Sequence, residues 1–132
     1  MYQPIKFSEF EYTMQKIGAV PVELQGVGEV VFEMPVKTKS GREFPETIRV
    51  YSTVSASGMH AYSRKVGTDA IRVVLVRDGR VLISAKRVNR SGKPADVLNR
   101  VVDRMRAAWK FAANPENRGP SGHLFTKGRF IE

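Results

Sequence analysis

The chain has 132 residues, the length of one domain, and at 42% hydrophobic it can bury a core. It contains no cysteine, which excludes disulfides, thiolate zinc sites and a cysteine nucleophile. The formal net charge of +9 is unevenly placed: residues 1–61 hold six Lys/Arg against seven Asp/Glu, and residues 62–132 hold sixteen against six. Self-repulsion of that size weakens a compact state, so the cationic half points to a polyanionic partner. The N-terminal segment MYQPIKFSEF has no basic stretch followed by an apolar one and does not read as a signal peptide. No apolar run approaches the roughly 18 residues of a membrane span. These features predict a soluble, cytoplasmic protein.

In chain order, a first helix is expected from Ser8, an N-cap with Glu11 three residues on to complete a capping box. Phe7 and Tyr12 occupy the staple positions, and Phe10, Met14 and Ile17 share one face. Gly18 ends the helix and Pro21 prevents continuation. From residue 21 to 88 the period becomes two. Val22 and Leu24 suggest a short strand. Residues 28–38 (GEVVFEMPVKT) suggest another, whose Pro35 argues for a sheet edge. Residues 39–42 (KSGR) read as a hairpin turn, and residues 47–54 (TIRVYSTV) as the return strand.

Residues 55–68 read as a loop of small residues ending near Arg64 and Lys65, where the charge excess begins. Residues 69–76 (DAIRVVLV) form an apolar strand interrupted only by Arg72. Asp78-Gly79 is the strongest hairpin signal, and residues 80–88 (RVLISAKRV) return antiparallel. After the basic turn NRSGKP (89–94), a second helix carries Val97, Leu98, Val101, Val102, Met105, Ala108, Trp109 and Ala112 on one stripe and stops at Asn114-Pro115. The expected fold is α+β in two layers: an antiparallel sheet of about five strands with an N-terminal and a C-terminal helix on one face, leaving the other face open. Residues 1–114 make this single domain; residues 115–132 are an irregular segment, either a tail or docked.

The candidate working surface is the basic group Arg64, Lys65, Arg72, Lys86, Arg87, Asn89, Arg90 and Lys93, with Arg77 and Arg80 close in sequence. Arg72 stands out because a guanidinium within an apolar strand must face solvent or find a partner. Neighbouring strands would bring Lys86 or Arg87 beside it. A row of cations across an open sheet face, near Tyr51 and Tyr62, suits phosphates and stacked bases. Arg100 and Arg104 extend this surface onto the second helix, whose wet side also carries Arg106 and Lys110. Trp109 belongs to the apolar stripe and reads as core.

Other chemistry finds little support. A nuclease needs converging carboxylates for Mg²⁺, and Glu29, Glu33, Glu43, Glu46, Asp69 and Asp78 form no such cluster. His60 and His123 lack partners at metal spacing. Ser52, Ser55 and Ser57 lack a nucleophile elbow, and Gly26-Val27-Gly28 is no phosphate-binding fingerprint. No metal, cofactor or catalytic residue is expected.

Residues 119–130 (GPSGHLFTKGRF) resemble a zinc ribbon of the topoisomerase type, with Gly119 and Gly122 where cysteines would stand. The resemblance covers about a tenth of the chain and implies a DNA-associated module that no longer holds zinc. Residues 66–76 (VGTDAIRVVLV) resemble small basic DNA-binding proteins of phages and mobile elements.

The resulting expectation is a non-enzymatic nucleic-acid-binding protein, with single-stranded DNA favoured and roles in replication, recombination or annealing. No helix-turn-helix or finger is present to enter a major groove. The alternatives are a phage-type adaptor or inhibitor whose basic half docks on an acidic protein, and a structured-RNA binder. Free sheet edges leave a homo-oligomer open.

Overall fold

Period-two alternation in the middle of the chain builds an antiparallel sheet, and apolar stripes of helical period near its ends build two helices. The computed structural model describes residues 5–22, 29–56, 64–66, 71–85 and 87–126. Within them the order is β1 (Ile5–Lys6), α1 (Phe7–Ile17), β2 (Val20–Val22), β3 (Glu29–Lys37), β4 (Glu43–Ala56), β5 (Arg64–Val66), β6 (Arg72–Arg77), β7 (Arg80–Ser84) and α2 (Pro94–Ala113). A single 3-10 turn follows at Pro115–Asn117. The fold is α+β. No helix among the described residues is long and apolar enough to cross a membrane.

The organising strand is β4, 14 residues long. One of its edges pairs with β3. Its other edge is shared: residues 47–51 pair with β6 and residues 54–56 with β5. Five strands, β2-β3-β4-β6-β7, make the main sheet, and β5 and β1 continue it along the far end of β4. The expected count of about five strands omitted β1 and β5. Two or three residues with no alternation carry no readable period, and only pairing with β4 makes them strands.

Register explains the core. Phe32, Val50 and Val73 stand opposite one another across three strands, and Met34, Ile48, Leu75 and Ile83 across four. All are buried, in one cluster with Phe10 and Met14 of α1 and Val97, Val101, Met105, Ala108 and Ala112 of α2. Phe10 meets Phe32 edge to face, with ring centroids 5.7 Å apart. Trp109 is half-buried against the same cluster, the core role expected of it.

The start of α1 departs from expectation. Its N-cap is Lys6, which makes no side-chain cap bond, so Ser8 lies inside the first turn. The reason is tertiary: Ile5 and Lys6 are paired to Val66 and Lys65 of β5, and the chain turns into the helix directly from that pairing. Tyr12 is no staple; it is 66% exposed. The C-terminus is as expected, with Gly18 at φ 93° and the Ala19 N–H donating to the Met14 carbonyl at 2.9 Å.

Both hairpins match their signals. Asp78 and Gly79 take φ 52° and 76°, a turn with positive φ at both central positions. At residues 38–42 the Thr38 N–H donates to the Arg42 carbonyl at 2.9 Å. Pro35 does not mark β3 as an edge strand, because β2 and β4 flank it. Pro35 instead lies past Glu33, the last β3 residue that β2 pairs, and beside a bulge.

Residues 115–126 are docked. Arg118 donates from Nε to the Ala112 carbonyl at 3.0 Å and from Nη1 to the Gly122 carbonyl at 2.8 Å. Its Nη2 lies 2.5 Å from Oε1 of Glu46, and its guanidinium carbon 4.1 Å from the centre of the Phe44 ring. Leu124 joins the core cluster. Glu46 is fully buried, so removing its cation strands a charge. Arg118→Ala is therefore expected to cost about 3–5 kcal/mol in urea unfolding, and the paired change Glu46→Leu with Arg118→Met to recover most of it. A loss below about 1 kcal/mol would show that this pair does not hold the segment.

Candidate nucleic-acid interface

The basic turn and α2 form one unit. Arg100 reaches back from the second turn of α2, and its Nη1 donates to the carbonyls of Asn89 at 2.9 Å and Ser91 at 2.6 Å. The Asn89 side-chain oxygen accepts from the Ser91 N–H at 2.9 Å and the Ser91 hydroxyl at 2.7 Å. Gly92 follows at φ 97°, which a side chain would strain. The Lys93 carbonyl then accepts the Asp96 and Val97 N–H groups, starting the helix. Arg100 is thus a clamp on the turn, with its charge left beside it.

A cleft of about 330 Å³ opens at this junction, lined by Arg87, Val88, Asn89, Arg100, Asp103 and Arg104. Three guanidiniums face one carboxylate. Arg87 and Arg104 make no ion pair among the described residues. Lys93 is exposed at the N-cap of α2.

Arg87 does not stand beside Arg72 even in a regular ladder, because Arg72 and Ile71 face opposite ways. The Ala85 N–H donates to the Val73 carbonyl, and two residues further a regular ladder would set Arg87 against Ile71. The Val88 N–H donates to the Ile71 carbonyl instead, at 3.4 Å. This one-residue slip gives buried Val88 the core-facing place beside Ile71, and Arg87 lines the α2 cleft. The expected row of cations along the sheet face is therefore divided.

Arg72 is exposed on the face opposite the core, across from Tyr51. Tyr51 is half-buried, and its hydroxyl accepts from Arg49 Nη1 at 3.4 Å. Arg49 Nε also donates to Glu33 at 2.5 Å. The Tyr51 hydroxyl and the Glu33 carboxylate hold the Arg49 guanidinium above its ordinary pKa. This face is not the open platform expected: Val31, Val74 and Val76 point to it and are buried.

Of the residues singled out in the sequence, Arg87, Asn89, Arg100 and Arg104 meet in the cleft, with Lys93 at the following helix start. Arg72 and Tyr51 form a separate pair. Arg90 is corrected from surface contact to buried residue, only 3% exposed, between the two carbonyls that Arg100 draws toward α2. Arg64 and Lys65 lie in β5, opposite Ala56 and Ser55 of β4. Tyr62 and Lys86 lie outside the described residues, as do Asp69 and His60. Asp103, not singled out before, is the carboxylate of the cleft; its position next to Arg104 was the only sequence signal for it. Among the described residues no group of three His, Cys, Asp or Glu is placed to hold a metal ion. His123 pairs through Nδ1 with the Ser121 hydroxyl.

The clamp has a measurable consequence. Arg100→Gln should cost about 1–3 kcal/mol, the value of charge-assisted bonds to the backbone, and should speed amide exchange at Ser91. Protection at Ser91 equal to that of the unaltered chain would remove the clamp role. No family model, no curated protein and no solved structure matches this chain.

Proposed function

We propose that the protein is a non-enzymatic nucleic-acid-binding protein, with single-stranded DNA as its favoured ligand. The observation that carries this reading is the cleft in which Arg87, Arg100 and Arg104 face a single carboxylate. Arg87, Arg104 and Lys93 contact phosphates, Asn89 supplies a polar contact, and Arg100 holds the turn that positions them. The net charge of +9 adds long-range attraction. A concave site beside a turn suits a flexible strand that can bend into it, whereas a duplex presents its phosphates on a convex ridge. Arg72 offers a further phosphate contact on the opposite face. In the two-layer arrangement both helices cover one face of the sheet, and the single core shared by α1, α2 and that face supports it.

Neutralising phosphate contacts lowers the salt dependence of binding. Arg87→Gln and Arg104→Gln should each weaken binding of a labelled single-stranded oligonucleotide and reduce the log–log salt slope by about 0.7. Arg87 is exposed and Arg104 half-buried, neither in an ion pair among the described residues, so unfolding midpoints should move little. Parallel titrations with duplex DNA and RNA rank the ligands. An unchanged slope in both variants overturns this cleft as the contact surface. Absence of salt-sensitive binding to all three ligands overturns the nucleic-acid reading.

A further inference from the structure

A second concavity lies between the two helices. It measures about 820 Å³ and is lined by Tyr12, Thr13, Lys16 and Ile17 of α1 and by Ala95, Leu98, Asn99, Val102, Asp103 and Arg106 of α2. Its character differs from that of the basic cleft. Ile17, Leu98, Val102 and Ala95 make an aliphatic floor, and Tyr12, 66% exposed, stands on one wall. The stretch of α2 involved spans about 16 Å at 1.5 Å per residue, enough for about five residues of extended peptide.

Charge selects the occupant. Lys16 stands on the α1 side and Arg106 on the α2 side, both exposed and neither in an ion pair among the described residues. Asp103 is the only acid in the lining, so the groove carries a positive excess within a cationic protein. Two separated cations over an aliphatic floor are a poor track for a continuous phosphate backbone, which calls for a run of cations and stacking faces. They fit a peptide whose apolar side chains enter the floor while its carboxylates meet the walls.

We infer that the α1–α2 groove docks an acidic peptide segment with apolar anchors, carried by a partner protein. Tyr12 packs on an anchor, Leu98 and Val102 receive it, and Lys16 and Arg106 pair with flanking carboxylates. The site is independent of the nucleic-acid reading but adjoins it, since Asp103 lines both concavities.

The probe is a fluorescein-labelled peptide alternating Asp and Glu with Leu and Phe, and its control replaces the acids with Lys. Polarisation is expected to show saturable binding of the acidic peptide alone. Amide shifts should concentrate at Tyr12, Lys16, Leu98, Val102 and Arg106. Tyr12→Ala and Arg106→Glu should each weaken binding about tenfold. Tyr12→Ala should leave oligonucleotide affinity unchanged. The proposal is overturned by equal binding of the Lys control, by shifts centred on Arg87 and Arg104, or by no binding at all. An oligonucleotide that shifts Tyr12 and Leu98 would assign the groove to nucleic acid and overturn it equally.

Discussion

A strand of fourteen residues must satisfy its backbone donors and acceptors along both edges wherever it is buried, and in this protein that demand falls on β4. Among the described residues, one edge is met by β3 alone. The other is met by two strands in succession, β6 and then β5. That division recruits Ile5 and Lys6 as β1, and so decides where α1 begins. It also brings β6 to the middle of the sheet, where Val73 and Leu75 complete rows begun by Phe32 and Met34. Slipping β4 by one residue would turn Ile48 and Val50 out of the core and Arg49 and Tyr51 into it.

Charge follows the same logic of place. Three acids of the first half are paired within the fold. Glu33 holds Arg49, Glu46 holds Arg118 in the interior, and Glu43 lies 3.8 Å from Lys37. Arg87, Lys93, Arg104 and Arg106 make no ion pair among the described residues, so the positive excess emerges at the surface beside α2. Two concavities flank that helix with different linings. Guanidiniums dominate one, and aliphatic side chains between two cations dominate the other. One helix thus serves the core with its apolar stripe and offers ligand-facing chemistry on both flanks.

Much of this was legible before any coordinates. The Asp78-Gly79 turn, the facing of Ile48, Val50 and Ser52, the span of α2 and the stripe beneath it all follow from local patterns. Those patterns act over a few residues, where propensity and period agree. The candidate site was legible only in part. The basic residue types were evident, but their expected row required Arg72 and Arg87 to share one open sheet face. Arg72 is exposed on the face away from the core, whereas Arg87 lines the cleft beside α2. Arg90 and Arg100, neighbours of Asn89 and Arg104 in the reading of composition, turned out to be a buried residue and a clamp.

The sequence by itself determined the types of the longer elements, the hairpins and the concentration of positive charge after residue 61, because each depends on residues near one another in the chain. Tertiary structure alone decided which strands share β4, where α1 starts, that Arg118 docks residues 115–126, and which cations meet. Those outcomes rest on pairings between distant segments. A one-residue difference in register there reverses the side a guanidinium faces, and no local pattern encodes it.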